Sequence, residues 1–244
     1  MNPNLNHAQI IPCANTGRSI GIIDFSQEYT NVIDAAAILS SGDSGWTDSD
    51  HAAFLAWNTK FLAWLTDSAF GKKESQHPNN HGTFANMQIA ALALVTGNVT
   101  LARDTSRLAA KFIDSQVGAD GYLPQEVART RSWHYTNFNL GAFLRWAAIA
   151  KKVGIDVYSH KGPQGQSLFR AVEVTIPAAT GGASKWPYTD LEFARYAATD
   201  NIHASAIAGL CKAKHALGKL QAPPGGDIFP LRPAAQQLDS IVKL

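Results

Sequence analysis

Residues 79–98 read NNHGTFANMQIAALALVTGN, and their apolar spacing decides the fold. Phe84, Met87, Ala91, Leu94 and Val95 recur at the three- and four-residue intervals of a helix with a buried stripe. Gly97-Asn98 closes that stripe with residues suited to a helix C-terminus. Just before it, Gln76-His77-Pro78-Asn79-Asn80-His81-Gly82-Thr83 crowds amides and imidazoles into a break. A helix starting near Gly82 or Thr83 sets Asn80 and His81 at its positive end, where unpaired backbone N–H groups welcome an anion. A plainer reading makes Asn79 or Asn80 an N-cap and His81 a partly buried hydrogen-bonder.

The helical period continues on both sides. Ile20 to Leu39 carries Ile22, Ile23, Val32, Ile33, Ala36 and Ala37, and stops at Ser40-Ser41-Gly42. Thr47 with Asp50 resembles a capping box, and Phe54, Trp57, Phe61, Trp64 and Leu65 behind it share a face that suits core packing. Leu101, Thr105, Leu108, Phe112 and Ile113 form the next stripe, up to Gly118. Leu140, Phe143, Leu144 and Ala147 begin a helix that ends at Lys151-Lys152 and Gly154, as a C-terminus should. Shorter helices are expected over 167–174, 191–196 and 202–217, and residues 221–244 read as a linker and short tail. No segment sustains period-two alternation. The pattern predicts an all-α chain of helical hairpins in one domain, 1–244. Of the bundle, the solenoid and the toroid, an incomplete (α/α) toroid best suits polar, aromatic-rich loops gathered at helix starts. The opening Met1-Asn2-Pro3-Asn4-Leu5-Asn6-His7 runs at once into Ile10-Ile11-Pro12-Cys13, which leads us to expect an N-terminally truncated toroid. One flank, built from the Ile20–Leu39 segment, should then expose apolar surface.

A second break answers the first: Glu126-Val127-Ala128-Arg129-Thr130-Arg131-Ser132-Trp133-His134-Tyr135. On its own it is ambiguous, since Arg129 and Arg131 also suit a solvated face and Tyr135 a helix start. With 244 residues, 45% hydrophobic and 16% charged, the chain can bury a full core. A net charge of +2 is too mild to imply nucleic acid, yet is compatible with an anion held by a local basic cluster. No apolar run is long enough to span a membrane, and the first residues lack the basic and apolar regions of a signal peptide. Cys13 and Cys211 suit either one disulfide or two buried thiols. His77, His81 and His134 have no recognisable metal-ligand spacing, so neither metal nor cofactor is expected. A glycoside hydrolase needs two opposed carboxylates; of Glu126, Asp190 and Glu192 only the first lies in either break.

Together, NNHGTFANMQIAALALVTGN and GYLPQEVARTRSWHYTNFNLGAFLRWAAIA (residues 121–150) resemble the alginate-lyase family of polysaccharide lyases, with its fungal-type and glucuronan-active relatives. The family pattern is Asn-Asn-His at a helix start, then Gly-φ-Leu-Pro-x-Glu-Leu-x-Arg, then Tyr-x-Asn-aromatic-x-Leu. The likeness is good from about Gly45 to Gly154. It implies an incomplete (α/α) toroid with a polysaccharide across its open end. It also implies catalytic Asn80, His81, Arg129 and Tyr135, with Arg131, His134 and Trp133 binding substrate. The Arg129–Tyr135 spacing is one residue shorter than in alginate-specific members, and His134 stands where they have a small residue. Both departures bear on which uronate is cut. The implied partner is an anionic polysaccharide, met outside the cell by a monomer. The alternative is a truncated or degenerate toroid that binds anionic glycans without turning them over.

β-Elimination explains why these residue types belong together. Such lyases remove the C5 proton of a uronate and expel the glycosidic oxygen from C4. That proton is barely acidic while the neighbouring carboxylate keeps its charge. Donors such as Asn80, His81 and Arg129 stabilise the enolate-like charge that develops. Tyr135, with guanidinium groups favouring its anion, suits a base that then returns the proton to the leaving oxygen. One tyrosine serves both roles where the C5 hydrogen and C4 oxygen share a face, as in mannuronate and glucuronate. In guluronate they lie on opposite faces, and His81 becomes the base with Tyr135 as acid.

Overall fold

The computed structural model describes residues 2–6, 13, 23–42 and 44–221. It is helical, with 68% of residues in helices and no strand among the described residues. The long helices are α1 (Ile23–Ser40), α2 (Asp48–Asp67), α4 (Asn80–Val95), α5 (Val99–Gln116) and α7 (Ser132–Lys152). Between and after them come the short α3 (Ala69–Ser75), α6 (Pro124–Val127), α8 (Leu168–Glu173), α9 (Ile176–Gly181), α10 (Thr199–Ile207) and α11 (Cys211–Ala216).

The centre is α4. It is buried at Asn80 and then without a break from Gly82 to Ala93, a helix enclosed on all sides. Its neighbours are α1, α2, α3, α5 and α7. The turn into α5 follows from two residues. Gly97 takes φ +79°, the left-handed conformation glycine adopts freely, and the Asn98 side chain accepts the Leu101 N–H to cap α5. Helix α5 buries Ala102, Thr105, Ala109 and Ile113 against α4 and α7, and turns its charges outward. In α7, Trp146 meets Phe112 of α5 edge-on, and Arg145 forms an ion pair with Asp34 of α1 through two 2.6 Å hydrogen bonds.

The Thr47 capping box forms: the Thr47 N–H donates to Asp50, and the Asp50 N–H donates to the Thr47 hydroxyl. Behind it Phe61 and Leu65 are buried and Trp57 packs against Tyr29 of α1. Helix α1 buries Tyr29, Ile33 and Ala36, while Val32, Ile38 and Leu39 on its other side stay exposed.

Three expectations need correction. Residues 191–196 are not an α-helix but hold one 3₁₀ turn, Phe193–Arg195. The first N–H groups of that segment have other partners, Leu191 on the Thr130 carbonyl and Glu192 on the Asp190 carboxylate. The helix expected over 202–217 breaks into α10 and α11 at Gly209, whose φ of +108° no other residue adopts easily. Cys13 and Cys211 are neither paired nor buried; both are free and exposed. Residues 222–244, with most of the expected linker and tail, lie outside the described residues.

Candidate active site

The first break folds around Asn79, the N-cap of α4, so the helix starts at Asn80, two or three residues earlier than expected. The Asn79 Oδ1 accepts the His81 backbone N–H at 3.1 Å and the His77 Nδ1–H at 2.8 Å. Glycine at 82 is a packing requirement. A Cβ there would lie 2.0 Å from the His77 carbonyl oxygen and 2.9 Å from the Phe112 ring. The His77 and His81 rings stand side by side, centroids 5.2 Å apart. His81 keeps part of its surface exposed and turns Nδ1 to Glu74 of α3, 2.8 Å away.

The second break is pinned to the first by a buried carboxylate. Glu126 is fully buried and accepts three hydrogen bonds: from the Asn80 backbone N–H at 2.9 Å, the Asn80 amide at 2.8 Å and the Asn139 amide at 2.9 Å. Burial pushes its carboxyl above the usual range, opposed by the Asn80 hydrogen bonds and the Arg129 charge. Gln116 extends the network, accepting from Asn139 and Thr83 and donating to the Asn79 carbonyl. Phe84 also packs on Phe138 at 4.4 Å, so the first turns of α4 and α7 lie side by side.

Helix α7 begins without a cap of its own at Arg131. Asp190, remote in sequence, supplies it, accepting the Trp133 N–H at 2.7 Å and the His134 N–H at 3.4 Å. Around this start gather the other charges and rings. The Arg129 guanidinium lies 3.9 Å above the Tyr135 ring, within cation–π range. Arg131 donates to Glu192 at 2.9 Å and to the Tyr196 hydroxyl at 3.1 Å. Glu192, then the Tyr135 hydroxyl, push the guanidinium still further toward its charged form. His134 packs on Tyr196 with ring centroids 3.7 Å apart. Burial first, then the Arg131 charge, lowers its imidazole from 6.5 to about 4.

The sequence-predicted residues therefore divide. His81, Arg129 and Tyr135 present accessible groups where α4 and α7 begin. Asn80 is 1% exposed and its amide is engaged by Glu126, so it fixes the break instead of lying open to solvent. His134 is a neutral ring in an aromatic stack, and Arg131 is already ion-paired. Trp133 is buried: it is 1% exposed, stacked on Phe193, and its indole N–H donates to the Tyr196 carbonyl. Among the described residues, no group of three or more His, Cys, Asp or Glu is placed to hold a metal ion. The carboxylates weighed for a hydrolase have other work: Glu126 is buried, Asp190 caps α7 and Glu192 pairs with Arg131 and Arg195. The contacts of Glu74, Glu192 and Tyr196 could not be read from the sequence, because their partners lie 7, 61 and 65 residues away.

A family model described as alginate lyase matches residues 1–186. The chain belongs to the alginate lyase family. Among solved structures it is similar to the crystal structure of an alginate lyase from Bacteroides ovatus, with a TM-score of 0.83 and 29% sequence identity. The match covers 93% of this chain and 62% of that one, so the chain spans less than two thirds of that protein's length. Curated protein sequences gave no significant match. The helices and their order thus belong to the (α/α) toroid for which the alginate lyase family is known. No helix among the described residues is long and apolar enough to cross a membrane.

Proposed function

We propose that this member of the alginate lyase family is a secreted polysaccharide lyase that cleaves a polyuronate, mannuronan (alginate) or glucuronan, by β-elimination. The observation that carries the reading is the Arg129–Tyr135 stack, beside Arg131, in a break that Glu126 ties to Asn80, the residue before His81. Arg129 is exposed and free to meet a uronate carboxylate; its charge also lies against the phenol that must handle the proton. His81 adds an imidazole at the positive end of α4, a donor to the carboxylate in its doubly protonated form. Asn80 acts through the break it locks onto Glu126.

The step balances as follows. The Tyr135 oxygen, as phenolate, takes the C5 proton. The C–H electron pair forms the C4–C5 double bond, and the C4–O bond breaks toward the leaving sugar. Tyr135 then gives the proton to that departing oxygen, which restores the phenolate. The same-face geometry of mannuronate and glucuronate suits this single-residue route. Mass analysis of products from polymannuronate, polyguluronate and glucuronan tests the reading. Fragments lacking one water relative to hydrolysis products are expected from at least one polymer. Fully hydrated fragments, or binding without any fragments, would contradict it.

A further inference from the structure

Glu74 sits in the last turn of the short helix α3, is 0% exposed, and puts Oε1 2.8 Å from His81 Nδ1. Its other oxygen, Oε2, is buried with no hydrogen-bond partner among the described residues. Removing one charge from water for a single partner is a poor way to stabilise a fold. Glu126 nearby shows the contrast, since three N–H donors satisfy it. Glu74 also misses both sequence motifs and has no place in the elimination step described above. What it does contact is an imidazole of the first break that keeps part of its surface open: His81 retains 21% of its side-chain exposure.

We infer that Glu74 is a positioning residue that fixes the tautomer of His81. As a carboxylate it only accepts, so the proton on Nδ1 is held toward α3. Nε2 is then the nitrogen presented to the substrate, and in the neutral ring it carries a lone pair. A neutral His81 locked this way is a proton acceptor at Nε2; it donates to a uronate carboxylate only when doubly protonated. The Asn79 side chain adds rigidity from the other side, because it accepts the His81 backbone N–H while holding His77. A carboxylate that sets tautomer and ring orientation is a recurrent device at reactive histidines. This inference rests on the polyuronate lyase reading for its catalytic consequence, but the tautomer itself does not.

The test has two arms. In the first, nitrogen-15 NMR of the histidine rings in the whole wild-type chain, with His81 assigned through His81→Gln, reads the tautomer directly. Protonation at Nδ1 is expected. A neutral His81 protonated on Nε2 alone would overturn the inference, whether or not the chain has activity. In the second arm, Glu74→Gln keeps size and shape but offers an amide that can donate to Nδ1. The expected result is a shift of His81 toward the Nε2–H form and a fall in kcat of about tenfold to a hundredfold, with KM nearly unchanged. An unchanged tautomer with kcat within about twofold of wild type would overturn it. A chain that cuts no polyuronate defeats the lyase reading and leaves the first arm decisive.

Discussion

Arg129 rests its guanidinium on the face of Tyr135, and the two side chains divide the proposed work between binding and proton transfer. Arg129→Ala should therefore raise KM and lower kcat together. A charge-assisted hydrogen bond is worth roughly 1.5–3 kcal/mol, so kcat/KM should fall about tenfold to a hundredfold in steady-state assays. His134 makes a different prediction. Its folded imidazole titrates near 4, against 6.5 for the ordinary group, so between those values the unfolded chain binds the extra proton. Its contribution is complete above pH 6.5 and is lost as the pH falls toward 4. Urea melts of His134→Gln and wild type, run at pH 7 and pH 4.5, should show the variant losing less stability on acidification. Equal losses would remove His134 as the cause. The candidate residues were legible only through the family resemblance, since each break by itself also suits caps and a solvated face. Their exposure was not: nothing local in Ser132-Trp133-His134 says that the tryptophan is buried under Phe193 and Trp186.

At the level of elements, two short segments set the geometry of the site. The break before α4 depends on the close approach of the His77 carbonyl to Gly82. In Gly82→Ala the added carbon meets main chain, which cannot rotate away. A loss of about 1–3 kcal/mol is expected in thermal or urea unfolding, with activity falling further as His81 is displaced. The start of α7 depends on Asp190. Asp190→Ala should cost about 0.5–2 kcal/mol as a lost cap and loosen the segment that carries Glu192 and Tyr196. Unchanged urea midpoints would show that the cap carries no stability. Helices with strong period and local caps could be read directly, as at Thr47–Asp50 and Gly97-Asn98. Residues 191–196 could not, because their backbone partners, Thr130 and the Asp190 carboxylate, are set by tertiary contact and not by helical period.

For the molecule as a whole, the organising fact is an enclosed helix, α4, with both breaks held together at its start by Glu126. The Glu126 hydrogen bonds and the Phe84–Phe138 contact hold the start of α4, which carries His81, beside the start of α7, which carries Tyr135. The hairpin pattern was visible in the apolar spacing, whereas the Glu126 network was not, since its members are 13 to 46 residues apart. The central claim is that this end of the fold performs β-elimination through Tyr135. It is tested most directly by following absorbance near the ultraviolet edge as wild-type and Tyr135→Phe chains act on polymannuronate, polyguluronate and glucuronan. Elimination creates a conjugated unsaturated sugar that absorbs there. The account predicts a rising signal from wild type on at least one polymer and, for the variant, a rate lower by about a hundredfold to ten-thousandfold with polymer binding retained. An equal rise from both chains, or polymer bound by wild type with no rise at all, would contradict it.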